Sequence, residues 1–500
     1  MKKTIRSQVF LPLVSLIIIF LPMRLFNITT PLHNITNFRQ AQTATIALNF
    51  YKNGINLFQT ELDIFGIGKE KYLTLEFPLY QAVVAVLYKI FFVHDMWGRV
   101  VSVVSGFVSA MFLYKIVLFI SKNHTLAFIS SFFFLSVPLN MYHQQDFLIE
   151  SFVVMCILTG FYYFLQWIHS KRKIQFILTL LFLSLGYIQK PMYGPFLLIP
   201  ILYYSMRHSS LKRMLSIQFL ILVIVPLIVL YIWTAHINGI NIQSGHSYFT
   251  TYNNDHFLWN VGTWEDRLNL SFWNFRFNNI LNGMFLKPGV VFFFLGFLFV
   301  RNIKNKDFLF VYLFGEILYF LIFFRIQSHV YYQMIITPIT SIFMALGIVG
   351  SVTYLLRKFK KTNVRIFRNL ILASVLAVFL WRSFLSSQWD ASADINWYQR
   401  ITSINRVIPK DSAGIFVSPG YDWNSAYTYF PKIKVLLISV EDFTADNLSK
   451  WQKGGYSYVV FYNYGSFEEY LSKVHIESSQ EFIKNYGEVL SLPDFKVYLL

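Results

Sequence analysis

The stretch FPLYQAVVAVLYKIFFV (residues 77–93) decides the topology of the whole chain. Its 17 residues carry one charge, Lys89, and are about enough to cross a bilayer as a helix. If the segment crosses, every later loop changes side and five basic runs face outward. Lys and Arg stay preferentially in cytoplasmic loops, so five simultaneous exceptions are improbable. The segment is therefore read as a juxtamembrane helix on or partly within the outer leaflet, with Lys89 snorkelling to the interface.

Composition agrees with a membrane setting. Of 500 residues, 55% are hydrophobic and 14% charged, against about 25% charged in soluble domains; mean hydropathy is +0.48. Apolar runs of about twenty residues recur, the pattern of a polytopic α-helical membrane protein. The single cysteine, Cys156, excludes an internal disulfide and a thiolate metal cluster. VFLPLVSLIIIFLPMRLF follows MKKTIR without a small-residue cleavage site, and is read as a retained first helix. A net charge of +18 raises the question of nucleic acid, but its placement answers it. Residues from 387 on hold 10 Lys and Arg against 13 Asp and Glu, leaving +21 on the rest, in short runs between apolar segments. That is the positive-inside pattern, and no nucleic-acid partner is expected.

The basic runs are MKKTIR, SKNH (121–124), HSKRK (169–173), RHSSLKR (207–213), RNIKNK (301–306) and RKFKKTNVR (357–365). Between them fall spans at roughly 8–26, 98–120, 125–141, 148–168, 174–189, 192–206, 214–235, 289–300, 308–325, 331–356 and 367–385. This predicts about eleven transmembrane helices with the N-terminus cytoplasmic and the C-terminus outside. The membrane module is 1–386, with a long first outer loop at 27–97, and 387–500 is a separate extracytoplasmic α/β domain. In that tail AGIFVSP, KVLLIS, YSYVVFYN and FKVYLL read as strands, and TADNLSKWQKGG and SFEEYLSKVH as helices. Gly454-Gly455 suits a helix end. No Gly-rich nucleotide loop is present, and the tail is assigned a lid or acceptor-recognition role.

The outer loops hold the residues able to do chemistry. NFRQAQTATIALNFYKNG opens the first loop, with Ile46, Ala47, Phe50 and Tyr51 at helical spacing, so it reads as a surface helix with its polar end free. The acids are Glu76, Asp146 and Glu150; the cations are Arg39, Arg99, Lys190 and Arg325, with His143 and His329. A carboxylate could deprotonate an acceptor hydroxyl, and Arg or Lys could hold a phosphate and stabilise it as it leaves. Taken singly, each of these residues competes with a plainer reading as an interfacial anchor or structural ion pair. Glu316, mid-helix in 308–325, is read as a structural hydrogen bond within the bundle.

FRQAQTATIALNFYKNG, EFPLYQ, GRVVS, DFLIESFVV, GYIQKPMYG and SHVYYQMIITP, in this order, resemble the GT-C glycosyltransferases. The likeness is to the protein O-mannosyltransferase and lipid A aminoarabinose transferase type, glycosyltransferase family 39. It covers most of the membrane part. It implies transfer of a sugar from a polyprenyl phosphate to a cell-envelope acceptor (lipid, glycan or protein) at the extracytoplasmic face of the plasma (inner) membrane. It also implies a catalytic role for Glu150, Glu76 or Asp146, with Asp146 placed one helical turn before Glu150. Donor or phosphate contacts would come from Arg39, Gln40, Gln42, Lys190, His329, Tyr331 and Tyr332, and more weakly from Arg99 and Arg325. A divalent cation, if used, would sit at Glu76 and Glu150. Many relatives carry an aspartate where this chain has Gln42, which cannot act as a base, so that duty passes to Glu76 or Glu150. The alternatives are a flippase or transporter, or a polymerase or ligase, of lipid-linked glycans. Transporters bind near the midplane on broken helices, whereas here the charged residues gather at helix ends.

Overall fold

The structure, a computed structural model, describes residues 2–32, 36–358, 364–387, 395–410, 412–418, 424–439, 442–462 and 485–500. The spans drawn from the sequence fall on helical segments, with 125–141 broken at 137, 214–235 opening across a break at 215–216, and 331–356 opening on a 3-10 run. In chain order the helices are α1 (Lys2–Leu25), α2 (Asn37–Asn53), α3 (Leu79–Ile90), α4 (Met96–Ser121), α5 (His124–Ser136), α6 (Pro138–His143), α7 (Glu150–Ser170), α8 (Lys173–Gln189) and α9 (Gly194–His208). They continue with α10 (Leu211–Met214), α11 (Ile217–Gln243), α12 (Asn254–Val261), α13 (Trp264–Leu268), α14 (Leu270–Asn279), α15 (Gly289–Phe299), α16 (Lys306–Ile322), α17 (Thr337–Lys358) and α18 (Val364–Ser387). Among the described residues, five spans are long and apolar enough to cross alone: 96–121, 150–170, 217–243, 330–358 and 366–387. The segment between the spans at 214–235 and 289–300 is itself largely helical. Its segment Leu270–Met284 is followed by Gly289–Phe299 at an angle of 81°.

The stretch at 77–93 yields α3, 12 residues long, or about 18 Å of helix, too short for a ~30 Å hydrocarbon core. It buries Tyr80, Val84, Ala85 and Tyr88, while Ile90, Phe91 and Phe92 are exposed. The basic runs punctuate the bundle locally. Asn123 caps α5 by accepting from the Leu126 amide at 3.1 Å. Lys122 and Lys171 end α4 and α7 in the left-handed conformation, at φ 56° and 57°.

The chain divides into two compact units. The first comprises 1–30, 96–236 and 251–389, and contains the apolar helices. Its tightest packing is α15 against α17. A Cβ on Gly296 would lie 2.2 Å from the Phe343 carbonyl oxygen, and one on Gly347 only 1.8 Å from that of Phe292. Small residues at such a crossing let two backbones touch inside a membrane. Gly347→Ala should therefore lower the unfolding temperature of the detergent-purified protein, with a destabilisation of about 1–3 kcal/mol or more. Gly239→Ala, where a Cβ meets nothing within 4 Å, should leave it unchanged.

The second unit comprises 31–95, 237–250 and 390–500, so the first long loop and the tail share one body. Its strands are β1 (Ile64–Gly66), β2 (Ala413–Ser418), β3 (Lys434–Ser439), β4 (Tyr458–Tyr462), β5 (Glu488–Ser491) and β6 (Phe495–Leu499). They form one sheet in the order β1-β3-β2-β4-β6-β5, parallel from β1 to β4 and antiparallel at β6 and β5. The four tail strands read from sequence are β2, β3, β4 and β6; β1 comes from the first loop and β5 lacked a signal. Helices α19 (Ile395–Ser403), α20 (Ala426–Tyr429) and α21 (Ala445–Lys453) accompany the sheet, and SFEEYLSKVH lies outside the described residues. Ile415, Val417, Leu436, Ile438, Val459 and Phe461 form its core. Asn241 stitches the 237–250 segment in: its side chain accepts from the Thr74 amide at 3.0 Å and donates to the Thr74 carbonyl at 2.9 Å.

Candidate active site

In the membrane unit, a buried polar cluster forms where α7 begins and α8 ends. Glu150 is the first residue of α7 and fully buried, and its Oε1 accepts from Lys190 Nζ at 2.7 Å. Lys190 caps α8, and Pro191 behind it cannot continue the helix. A Cβ on Gly194 would sit 2.2 Å from the Tyr187 ring, so glycine there lets the start of α9 close onto α8. The ammonium of Lys190 also lies 4.4 Å from the centroid of Tyr332, a cation–π contact strengthened by burial. Tyr331 and Tyr332 are 4.8 Å apart, on the short 3-10 run Val330–Ile336 before α17. The Tyr319 hydroxyl fixes that run by donating to the Tyr332 carbonyl at 3.0 Å.

Two polar atoms of the cluster, Glu150 Oε2 and the Tyr193 hydroxyl, are buried without a hydrogen-bond partner. Buried polar groups are nearly always paired, so these two atoms leave room for a hydrogen bond to water or to a ligand. Tyr193 lies within electrostatic reach of Glu150, Tyr331 and Tyr332, with its ring 5.5 Å from that of Tyr319. His143 stands beside Tyr331 at 6.0 Å between ring centroids, and its Nδ1 meets Asp146 Oδ2 at 2.8 Å. His329 packs between Trp259 at 5.5 Å and Tyr331 at 5.8 Å.

Asp146 is not on the helix of Glu150; it lies in the turn before α7. Arg99 ties the end of α1 to α4, donating to the Asn27 carbonyl at 2.5 Å and to Thr30 at 2.7 Å. Arg325 pairs with Asp266 at 3.5 Å and is 43% exposed at its side chain. Glu316 is buried within α16, and among the described residues no side chain or backbone group stands as the hydrogen-bond partner expected for it. Two buried arginines were missed. Arg24 donates to the Leu135 carbonyl at 2.6 Å and to Gln144 at 3.0 Å. Arg276 donates to the Phe324 carbonyl at 2.9 and 3.0 Å while stacked 4.2 Å over its ring. Both sit beside apolar runs and read in sequence as flanking charges.

The second unit holds its own cluster at the N-terminal end of α2. Arg39 forms an ion pair with Glu76 and donates to Gln42 Oε1 at 2.5 Å. Gln40 is fully buried and bonds Thr36 at 3.1 Å. The polar end of α2 is thus packed rather than free, and only Tyr51 of the apolar set is exposed. The N-cap position of α3 is Pro78, which makes no side-chain cap bond. Among the described residues no three His, Cys, Asp or Glu side chains gather as metal ligands. Glu150 and Glu76 each already face a cation, so a divalent ion at either would compete with Lys190 or Arg39.

The sequence profile of the dolichyl-phosphate-mannose-protein mannosyltransferase family matches residues 76–234. None of the curated proteins matches the sequence. Among solved structures, ArnT from Cupriavidus metallidurans bound to undecaprenyl phosphate superposes with a TM-score of 0.66 at 11% identity, covering 97% of each chain. Its apo state gives 0.66 at 10% identity and the same coverage. The apo oligosaccharyltransferase of Archaeoglobus fulgidus gives 0.57 at 12% identity, over 95% of this chain and 73% of that one. The likeness to GT-C glycosyltransferases read from the sequence thus holds for the family profile over 76–234 and for the fold over nearly the whole chain.

Proposed function

We propose that the chain transfers a sugar from a polyprenyl-phosphate donor to a hydroxyl of a cell-envelope acceptor, with inversion at the anomeric carbon. The observation that carries this reading is the Glu150–Lys190 pair with its second carboxylate oxygen unpartnered. Oε2 takes the proton of the acceptor hydroxyl as that oxygen bonds to the anomeric carbon. The bond from that carbon to the phosphate oxygen breaks, and the phosphate leaves with the electron pair. Lys190, held by Glu150 and the Tyr332 face, supplies positive charge to the leaving phosphate. Tyr331, His143 and His329 line the same cluster, and Asp146 orients the His143 ring. In the other unit, Arg39 is held by Glu76 and Gln42 as a guanidinium for an anion. The fold shared with an ArnT that binds undecaprenyl phosphate supports a lipid-phosphate donor. The basic loops support an inner-membrane protein with its N-terminus cytoplasmic and its C-terminal unit outside.

The test uses the purified chain in nanodiscs. Supplied with synthetic polyprenyl-phosphate sugars and envelope acceptors, it should release polyprenyl phosphate in step with acceptor glycosylation. Supplied with a nucleotide sugar alone it should release nothing, and turnover there would overturn the reading.

A further inference from the structure

The second unit contains a cavity of about 570 Å³, within the size range of small-molecule sites. Its walls come from the C-terminal half of α2, the 61–71 segment around β1, and the turn joining α20 to β3. Four lysines line it, Lys52, Lys71, Lys432 and Lys434, against two acids, Glu61 and Asp63. The acids are occupied. Glu61 accepts from Lys71 at 3.0 Å and from Asn53 at 3.0 Å, and Asp63 accepts from Asn49 at 3.4 Å. Lys434 is exposed, and among the described residues its side chain has no hydrogen-bond or ion-pair partner. Lys432 lies 3.7 Å over the Tyr429 ring, and its backbone is left-handed at φ 56°, a conformation that side chains other than glycine rarely adopt. The ring beneath is rigid, because the Tyr429 hydroxyl donates to the Asp95 carboxylate. Burial and that carboxylate push the hydroxyl well above its usual range, so it stays a donor.

We propose that this cavity binds an anionic saccharide, a sugar bearing a phosphate or carboxylate. The excess of lysine supplies the anion contact. Phe65 supplies an apolar face beside the Lys432–Tyr429 stack, and Asn49 and Asn53, whose amide nitrogens already donate to the two acids, present their amide oxygens to sugar hydroxyls. A bare anion would use only the first of these features. That the saccharide belongs to the glycosyl acceptor rests on the transfer reading above; that the cavity binds it does not.

The full-length protein in phosphatidylcholine nanodiscs is titrated calorimetrically with glucose 6-phosphate, glucuronate, inorganic phosphate and glucose. Glucose 6-phosphate or glucuronate should bind at least tenfold more tightly than inorganic phosphate or glucose. The double variant Lys432→Gln, Lys434→Gln should weaken that binding at least tenfold while leaving undecaprenyl-phosphate binding unchanged. Lys434 is exposed, whereas Lys432 also packs on the Tyr429 ring, so an unchanged unfolding temperature of the double variant checks that it folds. Equal affinity in the double variant overturns the proposal, as does inorganic phosphate binding as well as the sugar phosphate. Vesicles containing phosphatidylglycerol bound through the same two lysines in place of the sugars would make it a lipid site and also overturn it. Failure of the unsubstituted protein to bind undecaprenyl phosphate, with its saccharide binding intact, would instead count against the transfer reading alone.

Discussion

Glu150→Gln is expected to lower the rate of sugar transfer by about 10²–10⁴-fold, the range for loss of a positioned base. The amide keeps the shape of the carboxylate but cannot take a proton. The same change strips Lys190 of its counter-ion inside the protein, where the pair is almost wholly buried. Removing one partner of a buried pair typically costs about 3–5 kcal/mol, so the variant should also unfold at lower temperature. Activity and stability are separated by adding Lys190→Met. With no charge left uncompensated, the double variant should regain most of the lost stability and none of the activity. Recovery of transfer in the double variant would show that Glu150 only neutralises Lys190.

The second large effect is expected at α2. Arg39→Ala should reduce transfer by about two orders of magnitude, in line with the 2–5 kcal/mol attached to truncating a buried, hydrogen-bonded charge pair. Glu76→Gln should approach the same loss, because the carboxylate holds the guanidinium in place. Gln42→Ala should cost less than about tenfold, since it removes one neutral contact from Arg39 and leaves the ion pair. Kinetics of the purified variants decide the matter. If Gln42→Ala is the most damaging of the three, the amide itself touches the reacting groups.

The helices were readable because membrane spans are marked twice, by apolar length and by the basic runs between them. The placement of 77–93 came from counting the sides of loops far from it. Glu150 and Lys190 were each visible as unusual residues at helix ends. Their pairing was not, since it depends on α7 and α8 packing side by side, and the two residues are 40 apart in sequence. Asp146 looked helical because its spacing to Glu150 is one turn, yet the chain forms a separate turn there and gives the acid to His143. The pairing of Arg39 with Glu76 spans 37 residues, through the rest of α2 and a largely irregular segment that carries β1, so no single periodicity links the two. Residues 64–66 are too few for an alternating pattern, so the first loop's contribution to the sheet left no trace.

That three-residue strand has a consequence for biogenesis. Ile64 aligns with Val435, about 370 residues later, which at bacterial or eukaryotic synthesis rates of about 5–20 residues per second is roughly 20–70 s of waiting. During that interval Ile64, fully buried in the finished protein, has no neighbouring strand to cover it. Pairing between such distant segments is slow because a large loop must close before any contact rewards it. The newborn chain therefore passes through a stage in which its membrane helices are complete while the edge of its last sheet stands open. Quality-control proteases and holdases would meet the first loop at that stage, and chains stalled before residue 434 would be the ones they remove.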